Sequence, residues 1–262
     1  MTNPATVSDF RLDTYEVTVG RFRAFVNAGM GTQHMPPRTG AGARTLNGTA
    51  NQGGWDSSWN AMLSADASAL TAALKCNPTH QYETWTDAPG ANENEPIVCV
   101  TWYEAMAFCA WDGGFLPTEA EWNYAAAGGS EQRAFPWSSP SSSTTIDCSL
   151  ANFAPNGVSC VVAGMTDVGA TSPSGDSLWG QADLGGNASE WTLDWYSKPY
   201  LLPCDDCANL NDSGSRVVRG GGFLDETASG CRGALRSFVT VDPSALGDGR
   251  YIDVGMRCAR TP

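Results

Sequence analysis

Residues 116–129 read LPTEAEWNYAAAGG. Thr118 is followed three positions later by Glu121. In that spacing the threonine hydroxyl accepts a backbone N–H of the first turn, and the glutamate returns to the N–H of the threonine itself. The pattern predicts a helix over Glu119–Ala127, ended by Gly128-Gly129, because glycine takes the left-handed conformation without a steric cost. Just upstream, residues 96–111 read PIVCVTWYEAMAFCAW and repeat the device with Thr101 and Glu104. A second helix is therefore expected, carrying Ala105, Phe108, Cys109 and Trp111, with Pro96–Val100 before it as a short buried strand. Residues 9–26 begin with strand-like alternation. They then change to helical spacing at Val19, Phe22, Phe25 and Val26, with Thr18 as the cap.

Outward from these elements the chain is irregular. Residues 27–95 are broken by Gly, Pro and Asn, with one short helix expected at Ala67–Leu74, and residues 134–177 are rich in Ser, Pro and Gly. Both read as packed loops. Residues 183–196 (DLGGNASEWTLDWY) and the strand-like residues 216–223 (RVVRGGGF) lead into an arginine-rich end. No internal repeat and no domain boundary is evident. The chain of 262 residues is expected to form a single mixed α+β domain over 1–262, with residues 30–95 and 138–175 as loop-rich insertions.

Composition narrows the function. The net charge is −13, so nucleic acid and anionic membrane surfaces are not expected partners. No segment has the apolar length of a membrane span. Ten tryptophans predict an aromatic core, with an aromatic-lined groove as the alternative. Seven of thirteen arginines fall between Arg216 and Arg260. They are read as a buried structural network, with an anion site as the alternative. Nine cysteines beside two lysines point to an oxidising compartment, extracellular or periplasmic, and an odd number leaves one thiol unpaired. Met1-Thr2-Asn3-Pro4 does not read as a signal peptide, so secretion implies a natural leader removed from this chain. The two histidines, His34 and His80, lie far from any Cys-x-x-Cys pair, and a structural zinc site is not expected.

Seven segments in order resemble the formylglycine-generating (sulfatase-modifying factor) family: residues 12–26 (LDTYEVTVGRFRAFV), 96–111, 116–129 with the following FPW, 183–196, 216–223, 231–237 (CRGALRS) and 254–260 (VGMRCAR). The resemblance implies a single mixed domain with little regular structure, distantly like C-type lectins. Enzymes of this family oxidise a substrate cysteine to formylglycine with copper and dioxygen, and two cysteines spaced C-x-x-x-x-C hold Cu(I). Thiolates suit that soft ion. Here the matching stretch, Gly222–Gly230, contains no cysteine; the first lost position falls near Asp225 and the second near Gly230. Asp and Glu are hard ligands, so no catalytic residue is assigned and copper is not expected. Relatives that use iron carry histidines on an added helical domain, and this sequence has neither.

The resemblance also implies cysteine pairs and calcium. Cys109–Cys258 matches a family disulfide. A loop that long would contribute about 4–5 kcal/mol in the chain-entropy model. Cys76–Cys99 and Cys148–Cys160 follow from proximity and order. Cys204–Cys207 is read as a small loop disulfide, with a metal or redox pair as the alternative. Cys231 is left free, and its family mate falls at Ala126 or Ala127. A calcium site would use the Asp183 side chain, the Gly186 and Ala188 carbonyls and the Glu190 carboxylate, oxygen donors that suit this hard ion. The alternative is a turn with Glu190 paired to an arginine. A second calcium would use Asn152 and Phe153, or be replaced by a Cys148–Cys160 bridge. The function expected is a secreted, calcium-stabilised pseudoenzyme that binds a polypeptide or other ligand through a groove lined by Phe223, Asp225 and Glu226. The alternative is a metal-dependent oxidoreductase of the same family with a rebuilt active site using Cys231 or Cys204 and Cys207.

Overall fold

The computed structural model describes residues 4–76, 81–161, 164–241 and 249–262; His80 lies outside these. Among the described residues four α-helices form: α1 (Val19–Asn27), α2 (Ala67–Ala73), α3 (Trp102–Trp111) and α4 (Glu119–Ala127). Both expected capping boxes are present, at Thr101/Glu104 and Thr118/Glu121. Gly128 ends α4 at φ 65°. Thr18 caps α1, its side chain accepting the Arg21 N–H.

The main sheet has four strands: β1 (Ser189–Trp195), β2 (Ser215–Arg219), β3 (Ser237–Thr240) and β4 (Val254–Gly255). Their order is β3-β2-β1-β4. β2 runs antiparallel to both β1 and β3, and β4 runs parallel to β1. The β1–β2 register sets Glu190 opposite Arg219 and Trp191 opposite Val218. Close to the two chain ends, Arg11–Leu12 pairs antiparallel with Ala259–Arg260.

Helices α1 and α3 bury Phe22, Phe25 and Phe108 against one another, with ring centroids 5.2–5.5 Å apart. Each such side chain contributes about 1.5–3 kcal/mol on burial. Trp55, Trp85, Trp102, Trp122, Trp191 and Trp195 are buried, so six of the ten tryptophans join the core, while Trp111 and Trp179 are exposed. Of the arginine-rich end, Arg216, Arg219 and Arg257 are buried, Arg236, Arg250 and Arg260 are half-buried and Arg232 is exposed. Arg216 lies between Trp102 and Trp195, its guanidinium carbon 3.5 and 3.6 Å from the two ring centroids, and burial lowers its pKa to about 9.

Pro96–Val100 is buried but is not a strand. Pro96 forms a lone bridge to Thr18, and Ile97 donates to Val17 O at 2.9 Å. Cys99 then turns to φ 61°, where a strand cannot continue. Four disulfides form: Cys76–Cys99, Cys109–Cys258, Cys148–Cys160 and Cys204–Cys207. They accord with an oxidising compartment. Among the described residues no helix is long and apolar enough to cross a membrane.

Candidate functional site

The loop that follows β2 occupies the place where paired thiols were sought. Gly220 and Gly221 end the strand at φ 95° and 69°. A Cβ on Gly221 would lie 2.6 Å from Gly230 O and 2.7 Å from an Asp225 oxygen, so the loop closes tightly on itself. Asp225 Oδ2 accepts the Gly222 N–H at 2.7 Å, and its carboxylate packs against Gly230. The position nearest the first lost thiol therefore holds a carboxylate that fixes the loop. The Asp225 and Glu226 carbonyls accept the N–H groups of Ala154 and Asn156, binding the loop to a second irregular segment.

Phe223 does not line a groove. It is 1% exposed, packs with Val98, Met165 and Ala188, and meets Tyr82 at 5.0 Å between ring centroids. An aromatic ring directly after a triple glycine is drawn into the apolar layer beneath the loop. Leu224, Glu226, Thr227 and Ser229 form the exposed edge, with Asp225 half-buried. Asp253 stands near enough to Asp225 to feel its charge, and burial above all raises the Asp253 pKa.

The thiols offer no soft metal site here. Cys204 and Cys207 are bonded to each other. Cys231 is fully buried among Phe135, Ala151 and Phe153, and burial, with Asp225 nearby, pushes its pKa up to about 12. A thiol at that value is almost never a thiolate at neutral pH. It is Gly233, not Cys231, that comes against Ala126: a Cβ at Gly233 would lie 3.3 Å from the Ala126 Cβ. Among the described residues one group of potential metal ligands, Asp13, Asp112 and Cys258, comes together. Its sulfur is in a disulfide and its acids are paired with Arg21 and Arg260.

The 183–190 turn is built around buried charge. Arg257 donates to both Glu190 oxygens at 2.7–2.9 Å, and Trp122 Nε1 donates to Oε2 at 2.8 Å. Glu16 accepts from Asn187 Nδ2 and the Ala188 N–H at 2.8 and 2.9 Å. Asp183 Oδ2 accepts the Gly169 N–H at 2.6 Å. Three buried carboxylates thus share one buried arginine. Burial, then the charges of Asp183 and Glu190, raise the Glu16 pKa, and burial raises that of Asp183. This excess of negative charge fits a cation at Asp183, whereas Glu190 is taken up by Arg257 and Trp122. At the second expected site, Phe153 O accepts the Cys160 N–H at 2.8 Å, next to the Cys148–Cys160 bridge. Asn152 donates to Gly164 O and Asn187 Oδ1, while its own Oδ1 is buried without a partner.

A family model described as "Sulfatase-modifying factor enzyme 1-like domain" matches residues 2–262. The chain belongs to this family. It is 31% identical to the "Formylglycine-generating enzyme" of Streptomyces coelicolor over 95% of this chain and 77% of that one. It is 33% identical to the "Inactive C-alpha-formylglycine-generating enzyme 2" of Bos taurus over 65% of this chain and 53% of that one. The structure of PvdO from Pseudomonas aeruginosa superposes with a TM-score of 0.61 at 19% identity, covering 98% of this chain and 82% of that one, which shows a shared fold.

Proposed function

We propose that this chain is a secreted, non-catalytic member of the family that binds a basic polypeptide segment on the exposed edge of residues 224–229. The observation that carries the reading is Asp225. Where the resemblance calls for a Cu(I) thiolate, a carboxylate is tied to the Gly222 N–H, and the nearby thiol of Cys231 is buried. Asp225, Glu226 and Asp253 give this face an acidic character that suits lysine- and arginine-rich ligands. Calcium, in this reading, is held by Asp183 and the Gly186 and Ala188 carbonyls, and it offsets the surplus charge beside Glu16 while Glu190 stays with Arg257.

The test pairs chemistry with binding. A cysteine-bearing peptide incubated with the protein, Cu(I) and dioxygen is expected to keep its mass; conversion to formylglycine would overturn the reading. A lysine-rich fluorescent peptide is expected to bind at low salt and to lose most of its affinity with Glu226→Lys. Equal binding by that variant would remove the 224–229 edge from the proposal. Metal analysis of the purified protein should find calcium, and its loss with Asp183→Asn would support the assigned ligand.

A further inference from the structure

Apart from the 224–229 edge, a cavity of about 710 Å3 opens beside α4. Its charged side chains are engaged within its own wall. Both Glu119 oxygens accept from Arg236, at Nε and Nη2, each at 2.6 Å. Both Asp194 oxygens accept backbone N–H groups, of Glu119 and Asn209, at 2.7 and 2.8 Å. Arg236 Nη1 donates to Ser197 O, and Arg219 donates to Leu235 O, Gly233 O and Asn123 Oδ1. An ion entering here would lose its water without gaining a charged partner, so the wall favours an uncharged ligand.

Two neutral side chains in the lining are instead anchored at one end and open at the other. Asn123 Oδ1 accepts from Arg219 Nη2, and a guanidinium only donates, so the Asn123 NH2 is the end left for the cavity. Gln132 Nε2 donates to Gly129 O at 2.8 Å, and a carbonyl only accepts, so Gln132 Oε1 is the end left there. The lining thus offers a fixed donor and a fixed acceptor. Beside the acceptor lies an aromatic face. A Cβ on Gly129, the residue that Gln132 grips, would lie 3.0 Å from Tyr124 Cζ and 3.2 Å from Trp179 Cη2. Tyr124 stacks on Trp179 at 5.1 Å between ring centroids and 7° between planes, which covers one of its faces, yet it is 40% exposed and lines the cavity. Tyr200, also in the lining, is backed by the Arg236 guanidinium at 4.4 Å and is 37% exposed.

We propose that this cavity binds a neutral carbohydrate. A pyranose carries C–H groups on its faces and hydroxyls round its edge. Its face matches the flat, apolar and already supported rings of Tyr124 and Tyr200. An edge hydroxyl both donates and accepts, so it can donate to Gln132 Oε1 and accept from Asn123 Nδ2. A purely aromatic ligand would cover the rings but leave both amide ends without partners. The volume lies within the range of about 300–1,000 Å3 usual for small-ligand sites.

A glycan array carrying neutral, sialylated and sulfated glycans, probed with the full chain at neutral pH, tests this. Neutral glycans should bind, and titration calorimetry with the strongest of them should saturate one site. An array on which no neutral glycan binds would overturn the proposal, and acidic glycans bound as tightly as neutral ones would overturn the reading of the wall. Acetyl-trialanine amide offers amide donors and acceptors without a hydroxyl-edged ring and should not compete; competition as strong as that of the free glycan would overturn the carbohydrate class. Tyr124→Ala should weaken the glycan at least about tenfold by removing the ring. It also uncovers Trp179, so the exposed Gln132→Leu is used beside it and should weaken the glycan about three- to tenfold by removing the acceptor. Unchanged affinity in Gln132→Leu would overturn the placement.

Discussion

Two buried charge centres stand on either side of Trp122, and they differ in their balance of acids and arginines. One holds Glu16, Asp183 and Glu190 around Arg257; the other holds Arg219 and Arg236 around Glu119 and Asp194. The β1–β2 register sets Glu190 directly opposite Arg219, and a cross-strand ion pair would be the simplest outcome. It does not form. Trp122 takes a Glu190 oxygen with its indole N–H, and the Arg219 guanidinium lies 5.1 Å from the Trp122 ring centroid. Each charge is turned to a partner on its own side. The acid-rich centre is sealed, and its surplus is met by hydrogen bonds, by the raised proton affinity of Glu16 and, in the proposed reading, by calcium at Asp183. The other centre sets two arginines against two carboxylates and opens on a cavity of about 710 Å3. In a core, what lies between two charges decides their pairing as much as strand register does.

The largest expected effect comes from Arg257→Gln. It leaves three buried carboxylates without their cation, and breaking a buried pair in this way costs about 3–5 kcal/mol. Urea unfolding measures it. A cost below about 1 kcal/mol would mean that Trp122 and the groups around Glu16 and Asp183 balance Glu190 without Arg257.

Trp122→Phe should act next. It removes one hydrogen bond to a charged oxygen, about 1.5–3 kcal/mol, and thins the partition between the centres. The same urea titration reads the loss. A double-mutant cycle with Arg219→Lys separates the two roles: additive losses mean that Trp122 only serves Glu190, whereas a coupling above about 0.5 kcal/mol means that it also keeps Arg219 from crossing to Glu190.

How far the sequence reveals these features depends on how local they are. The capping boxes at Thr101/Glu104 and Thr118/Glu121 are each written within four residues, and both helices stand where the pattern puts them. The family motifs carry the fold because they recur in order over the length of the chain. Pro96–Val100 misleads because the left-handed turn at Cys99 is a matter of backbone conformation, which an apolar run does not encode. Phe223 misleads because a ring beside a glycine turn can face either way. The arginine-rich cavity has no local signature: Glu119 and Arg236 meet across 117 positions. The arginine count predicts an internal network, and Arg216, Arg219 and Arg257 are buried as that reading requires.

The finest probe of the contrast is Asp194. Its carboxyl proton is held up to a pH of about 7, first by burial and then by Glu119, against the pull of the Glu119 and Asn209 N–H groups and of Arg236. Between the ordinary aspartate range and that value the folded chain binds this proton and the unfolded chain does not. Folding then takes up a proton, so this group's contribution to stability falls as pH rises from about 4 to about 7, by at most about 1.4 kcal/mol per pH unit. Asp194→Asn has no such proton. Its stability should therefore lose that slope, although it starts lower because a donating amide NH2 replaces one of the two oxygens that accept the Glu119 and Asn209 N–H groups. Urea midpoints across this range compare the two chains. Parallel curves would mean that Asp194 stays ionised when buried, balanced by the arginines beside it. The cavity wall would then be balanced, two arginines against two carboxylates, whereas the acid-rich centre sets three carboxylates against one arginine.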